Sequence, residues 1–203
     1  MIKPETLSAE ETKETHAPLE SELEEYQRQL EAIKQEARSL IEGLTDEQFN
    51  WHPAPGVWSI ADNLAHLNVT GQLYLSRIDA SIEEARSKEL FGAGPFRHSF
   101  LGNWFLRLLE PPVKRKFKAP KIFVPMPDQP LARVAPEFIS LQDEVLERLH
   151  RANGLNLARA RVASPISRFL RLSLGQSFLL ITSHERRHLW QAAQVKAAQG
   201  FPV

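Results

Sequence analysis

The sequence predicts an all-α protein, a four-helix bundle with a long, helix-containing insertion between its second and third helices. Two observations support this fold class. Apolar residues recur at intervals of three and four along four separate stretches, as they do on the buried side of a helix. No stretch alternates convincingly between apolar and polar residues, and the segment RVASPIS, which could be extended, is short. We therefore expect no substantial sheet.

Length, composition and charge exclude several classes of protein. The 203 residues suit one domain with a sizeable core, and a formal net charge of +0 gives no overall basic field for nucleic-acid binding. The lack of cysteine leaves histidine and carboxylate as the strong metal ligands. The polar, acidic N-terminus is unlike a signal peptide, and no stretch reaches the roughly 20 apolar residues of a membrane span. A cytoplasmic protein is the expectation.

The first two bundle helices are marked by an apolar stripe and by a capping pattern. The stripe alternates steps of four and three, and its members are Leu19, Leu23, Tyr26, Leu30, Ile33, Ala37, Leu40 and Leu44. Two prolines and a glycine between residues 53 and 56 then interrupt the pattern. Ser59, with Asp62 three residues later, resembles a capping box, which predicts a second helix over about Ile60 to Lys88.

The last two bundle helices follow the same logic. Apolar spacing predicts a third, shorter helix from Pro136 to Arg151. Ser173 and Gln176 offer another capping box for a fourth helix, which is expected to end near Gly200 because glycine is typical just past a helix end.

A long connection, Phe91 to Ala135, separates the second helix from the third. Structureless loops of that length are uncommon in compact domains and usually carry function. Aromatic and leucine spacing predicts a short helix within Phe96 to Leu109, with its apolar face covering the bundle, followed by a basic, proline-bounded segment. Two interpretations stay open: an extra helix with a solvated basic tail, or a lid or a surface that touches a membrane or partner.

The stretch SHERRHLWQ contains the pattern H-E-x-x-H, which supplies two zinc ligands and a general base in metalloproteases. His184 and His188 lie four residues apart, so both project from one side of a helix, and neighbouring apolar positions make that side the inward one. Buried imidazoles must be paired, hydrated or metal-bound, because an unpaired polar group costs about 1–3 kcal/mol.

A zincin protease needs a further ligand well after its motif. The residues from Leu189 to Val203 contain no His, Asp or Glu, so that arrangement is excluded. Glu185 lies about 100° round the helix from His184, at the edge of a site or in solvent. Another candidate ligand is His66, which shares a helix side with Asn63 and Thr70. A lone histidine is more often a core residue, but bundles do build metal sites from facing helices.

The stretches LTDEQFNWHPAPGVWSIADNLAHL and SHERRHLWQAAQV together resemble the DinB-like superfamily of metal-binding four-helix-bundle proteins, over about Leu19 to Ala198. The resemblance implies an up-down-down-up bundle, which we place at residues 18–203. The polar, acidic residues 1–17 are expected to form a flexible tail before it. The resemblance also implies a histidine triad, which maps onto His66, His184 and His188. The connection between the second and third helices is longer than a minimal member needs.

Three neutral imidazoles would leave a divalent ion its full charge and at least one open position, as in catalytic zinc sites, and imidazole also suits nickel and iron. Family members include thiol-dependent transferases and a thiol-using isomerase, while others are described only as hydrolases. By resemblance we expect a metal-dependent enzyme that activates a low-molecular-weight thiol for transfer or water for hydrolysis. Glu185 and Gln191 are the candidate catalytic residues, and Asn63 and Thr70 are candidates to support the ligands.

A different class of function stays open, in which the bundle binds a metal or small ligand without catalysis and acts in a stress response or as a dimeric interaction protein. The expected partners are a small-molecule substrate and, in a homodimer, a second copy of the chain. Neither nucleic acid nor an integral membrane segment is expected.

Overall fold

The computed structural model describes residues 18–112 and 119–202, which form six α-helices and one two-stranded sheet. The helices are α1 (Ser21–Ile41), α2 (Asp46–Asn50), α3 (Ile60–Ser87), α4 (Phe100–Arg107), α5 (Leu131–Ala152) and α6 (Leu174–Lys196). The strands are β1 (Arg161–Ser164) and β2 (Ser167–Ser173), and a 3-10 turn covers Lys121–Phe123. The predicted acidic tail, residues 1–17, and residues 113–118 of the basic segment lie outside the described residues.

The four long helices α1, α3, α5 and α6 form the predicted bundle. Both α5 and α6 pack against α1 and α3, so α5 and α6 occupy opposite corners. The Nζ atom of Lys196 donates to the carbonyl of Leu40, 2.7 Å away, which places the C-terminal ends of α6 and α1 together. The backbone N–H of Glu20 donates to Asn153 at 3.0 Å, so α5 ends where α1 begins.

The directions of α3 and α6 are opposite, since His66 meets His184 while Asn63, one turn earlier, meets His188. Since α1 is parallel to α6 and antiparallel to α5, the order along the chain is up, down, down, up. The predicted all-α bundle and its implied topology are confirmed.

Helix starts agree closely with the capping patterns in the sequence. Ser59 and Asp62 form a reciprocal capping box at the start of α3, and Ser173 and Gln176 form one at the start of α6. Each cap satisfies backbone N–H groups that a helix start leaves unpaired, which typically contributes about 1 kcal/mol. These caps fix where the two helices that carry the histidines begin.

Two element boundaries differ from the prediction. Helix α5 begins at Leu131, before Pro136, because a proline near a helix start removes only one backbone hydrogen bond while Val134 and Ala135 become buried. Helix α6 ends at Lys196, ahead of Gly200. The segment RVASPIS forms part of an antiparallel hairpin in which Val162 pairs with Leu172.

The predicted helix in the insertion is present as α4, but its predicted packing is wrong. Leu106 is buried, whereas most of the other large apolar side chains of α4 face solvent. The helix is held to α6 mainly by polar contacts. The side-chain N–H groups of Gln176 donate to the Ser99 carbonyl and to Asn103, both at 2.9 Å. Because these hydrogen bonds lie on the side of α4 that faces the bundle, the apolar side of the helix faces away from it.

No helix in the described parts of the chain is long and apolar enough to cross a membrane.

Candidate metal centre

Three histidines from two antiparallel helices converge inside the bundle. His66 comes from α3, and His184 and His188 come from α6. One ring nitrogen of each lies within 4.8 Å of the others, and the Nε2 atoms of His66 and His184 are 3.2 Å apart. The structure therefore brings together the three residues that the sequence singled out.

The hydrogen bond of His66 fixes which of its nitrogens faces the cluster. Its Nδ1 atom lies 2.7 Å from the carbonyl oxygen of Phe123, in the 3-10 turn of the insertion. A carbonyl only accepts, so Nδ1 carries the proton and the Nε2 lone pair points to the cluster. A carbonyl or carboxylate that holds the second ring nitrogen is the usual support for a metal-binding histidine.

Asn63 does the same for His188. The Nδ2 group of Asn63 donates to the carbonyl of Ser59 at 2.8 Å, which turns its Oδ1 atom toward Nδ1 of His188, also 2.8 Å away. The oxygen accepts, so His188 is protonated on Nδ1 and presents the Nε2 lone pair to the cluster. Asn63, a residue that the sequence proposed as a supporting group, therefore contacts the triad.

Trp58 forms one wall of the cluster. Its ring stacks on His188 at 29° with centroids 5.6 Å apart, and it lies 4.9 Å from the ring of His66. Sequence reasoning did not single out Trp58 or Phe123. Trp58 could have been found from its place directly before the cap of α3, whereas Phe123 contributes only a backbone oxygen and leaves no signal in its residue type.

Burial keeps the three imidazoles neutral. It lowers the pKa of His66, and together with the neighbouring histidines it lowers the pKa of His188 well below its ordinary 6.5. The pKa of His184 falls to about 3, first because the surrounding protein desolvates its ring and then because a positive charge there would lie close to His66 and Arg187. Neutral imidazole is the form that binds metal.

The residues present fit a divalent ion. Two nitrogen ligands of a tetrahedral zinc ion lie about 3.3 Å apart, given metal–nitrogen bonds of about 2.0–2.1 Å. The separation of 3.2 Å between His66 and His184 agrees with that value. The Nε2 atoms of His66 and His188 carry lone pairs and no proton, so they cannot form a hydrogen bond with each other. A cation bound between them would satisfy both.

Glu185 lies in the bundle core on a different side of α6. Its side chain is 2% exposed, and its Oε1 atom accepts a hydrogen bond from Gln142 of α5 at 3.0 Å, across the bundle diagonal. Its Oε2 atom and the Oε1 atom of Gln142 have no hydrogen-bond partner within the described ranges. Burial raises the pKa of Glu185 to about 8, although the bond from Gln142 opposes that shift.

The other two candidates lie near the triad without a described contact to it. Thr70, one turn after His66, is buried, and its hydroxyl finds no hydrogen-bond partner among residues 18–112 and 119–202. Gln191 is half-buried, about one turn after His188. Their predicted roles stay predictions.

A cavity of about 650 Å³ lies between α3 and α5 beside the 3-10 turn. Its lining residues are Asn68, Val69, Gln72, Leu73, Ile122, Glu137, Ser140, Leu141 and Glu144. None of the three histidines is among them, so this cavity is separate from the triad.

Replacing Asn63 by alanine should weaken metal binding by about 10–100-fold, because His188 would lose the acceptor that orients its ring. Competition with a chromogenic chelator measures the effect. Asn63→Asp keeps an acceptor at the same place and should bind metal more tightly than Asn63→Ala. Equal affinities in the two variants would contradict an orienting role for Asn63.

The pH dependence of metal affinity should also reflect burial. Ordinary histidines, with a pKa of about 6.5, would lose metal as the pH falls from about 7 to 6. Because burial lowers all three pKa values, protons should compete effectively only at lower pH, and affinity should change little over that interval. Chelator competition across this range tests the expectation, and a steep loss of affinity between about pH 7 and 6 would contradict it.

Comparison with known proteins agrees with the site. The model of the DinB superfamily matches residues 29–192, a range that includes His66, His184 and His188. No curated protein and no solved structure matches the chain. Because the match extends over most of the sequence, the chain belongs to the DinB superfamily.

Proposed function

We propose that the chain is a metal-dependent enzyme in which His66, His184 and His188 hold a divalent zinc, nickel or iron ion. The observation that carries the proposal is the pair of fixed lone pairs, on Nε2 of His66 and of His188, directed at the point that His184 also approaches. A divalent ion with three neutral ligands and an open position activates a small thiol or a water molecule as a nucleophile.

The surrounding residues have separate roles in this proposal. The Phe123 carbonyl and Asn63 hold the two rings in the tautomer that binds metal. Trp58 excludes water from one side of the cluster. His184 is partly exposed, and we propose that a substrate approaches from its side. Gln191, which follows His188 on α6, is the proposed polar contact for that substrate.

The position of Glu185 favours a thiol over water as the nucleophile. A general base must lie within hydrogen-bonding reach of the proton that it removes. The carboxyl of Glu185 accepts a hydrogen bond from Gln142 of α5, and its side chain is buried in the bundle core. We therefore propose transfer to or from a low-molecular-weight thiol as the reaction class, and hydrolysis as the second candidate.

Metal analysis of the purified protein, followed by a screen of small thiols with electrophilic substrates, tests the proposal. The Glu185→Gln variant should keep its metal in either case, because Glu185 is not proposed as a ligand. If a thiol is the nucleophile, turnover should change little. If Glu185 activates water, turnover should fall by about 10²-fold or more. Turnover that does not depend on metal would contradict the proposal.

A non-catalytic metal-binding or ligand-binding bundle, with a role in a stress response or as a dimeric interaction protein, is the alternative. One observation favours it: the 650 Å³ cavity between α3 and α5 is not lined by the histidines, so a ligand bound there would lie outside the triad. Full metal content together with no turnover in any thiol or hydrolysis assay would support this alternative.

A further inference from the structure

The outer side of α4 exposes large apolar side chains to an unusual degree. We call it the α4 face and define it by Phe100 (79% exposed), Leu101 (74%), Trp104 (56%), Phe105 (49%) and Leu108 (42%). Four of these residues lie on the eight-residue helix α4, and Leu108 is the residue that caps its C-terminal end. Soluble monomers rarely leave large contiguous apolar patches in water unless the patch binds a partner or a membrane.

The other side of α4 is firmly attached to the bundle. Ser99 caps the helix by accepting the backbone N–H of Gly102, and Gln176 of α6 donates to Asn103 at 2.9 Å. Leu106 is fully buried. The α4 face therefore belongs to a capped helix whose other side is attached to the bundle.

The C-terminal end of α4 is attached by charge as well. Glu110 forms an ion pair with Arg186 of α6 and accepts a hydrogen bond from the hydroxyl of Ser183 at 2.7 Å. Arg186 also donates to Gln29 of α1 at 2.8 Å, so the end of α4 is tied to two bundle helices. The negative charge of Glu110 is thereby used within the protein.

The described residues near α4 in the sequence carry positive charge that is not neutralised, although the whole chain has no formal net charge. Glu110 is the only acidic residue between Phe91 and Lys121, and its charge is paired with Arg186. The basic residues of the same range that the structure describes are Arg97, Arg107 and Lys121. The side chains of Arg97, Arg107 and Lys121 are exposed, and no ion pair joins them to another residue in the described ranges.

We propose that the α4 face binds the surface of an anionic lipid bilayer. A short amphipathic helix with exposed Phe, Leu and Trp side chains can lie in the interface between headgroups and acyl chains, where tryptophan is favoured. Basic residues beside it gain from the negative potential of anionic lipids, each by a modest amount. One eight-residue helix makes this a reversible, peripheral attachment.

A second copy of the chain fits the α4 face less well. A twofold contact is self-complementary, so it would bring the basic residues beside the α4 face of one copy toward the same residues of the other. Like charges oppose such a contact, whereas an anionic bilayer attracts the same residues. The charge around the α4 face therefore selects the bilayer as its partner.

Co-sedimentation with vesicles tests the proposal on the full chain. The protein should bind phosphatidylcholine vesicles that contain phosphatidylserine and should bind pure phosphatidylcholine vesicles at least about tenfold more weakly. The double variant Phe100→Ser/Leu101→Ser should lower binding to the anionic vesicles by about tenfold or more. The matched control, Ile166→Ser/Leu170→Ser in the hairpin, changes residues that are 52% and 53% exposed and should bind like the wild type.

Several outcomes would overturn the proposal. They are absence of binding to anionic vesicles, equal binding to both vesicle types, and equal loss in the control variant. Light scattering after size exclusion gives another outcome. A dimer that Phe100→Ser/Leu101→Ser dissociates, with no vesicle binding, would make the α4 face a protein interface. Circular dichroism establishes that each variant keeps its helical fold.

Discussion

The His188→Ala variant should keep its helical fold and lose most of its affinity for divalent metal. The change removes one of the three proposed ligands while leaving His66 with its support from the Phe123 carbonyl. The loss should exceed the roughly 10–100-fold expected when only a supporting hydrogen bond is removed. Chelator competition and metal analysis of the purified variant measure it.

An exposed histidine provides the control for that experiment. His52 has a side chain that is 45% exposed and lies in the loop before α3, outside the triad. His52→Ala should retain the metal content and affinity of the wild type. If His188→Ala also retained full metal content, the three histidines would be structural residues and the proposed site would be wrong.

Glu185→Gln should make the metal-free protein more stable at neutral pH. The pKa of this carboxyl is raised in the folded state from its ordinary 4.5 to about 8. The unfolded chain therefore loses the proton first as the pH rises, so folding stability declines from about pH 4.5 and levels off above about pH 8. At about pH 7 this shift lowers the free energy of unfolding of the wild type by roughly 3 kcal/mol, given about 1.4 kcal/mol for each pH unit between 4.5 and 7.

Glutamine removes that cost and supplies a better partner for Gln142. Two side-chain amides can pair reciprocally, which satisfies the Gln142 oxygen that is unpaired beside Glu185. Urea unfolding in the presence of a chelator, at about pH 5 and about pH 8, should show a stability gain for the variant that grows with pH.

The exposed Glu36 of α1 provides a matched control, and Glu36→Gln should change stability by less than about 0.5 kcal/mol. Because each comparison is made with the wild type at the same pH, the titration of the histidines cancels. A gain in Glu185→Gln that does not change with pH would contradict a buried, proton-retaining carboxyl.

The parts of the structure that the sequence predicts are local or periodic. The capping boxes at Ser59 and Ser173 use contacts between residues three positions apart. The spacing of four residues between His184 and His188 places both on the same side of α6. These features depend on helix geometry alone, so they can be inferred before any tertiary contact is known. Pairing His66 with the other two required the resemblance to a family as well.

The parts that could not be predicted depend on contacts between distant residues. The Phe123 carbonyl reaches His66 across 57 positions, and a backbone oxygen can come from any residue type. The sequence predicts Glu185 at the edge of the site or in solvent, whereas its side chain accepts a hydrogen bond from Gln142 across the bundle diagonal. The outward face of α4 depends on the polar attachment of Asn103 to Gln176, which hydrophobic spacing does not encode.

The most direct test of the metal site is anomalous diffraction, at the absorption edge of the metal, from crystals of the metal-loaded protein. We expect one ion bound by imidazole nitrogens of His66, His184 and His188, at about 2.0–2.1 Å if the metal is zinc. The Nδ1 atoms of His66 and His188 should still donate to Phe123 and Asn63. An ion bound elsewhere, or a His66 side chain turned to solvent with the metal present, would contradict the proposed centre.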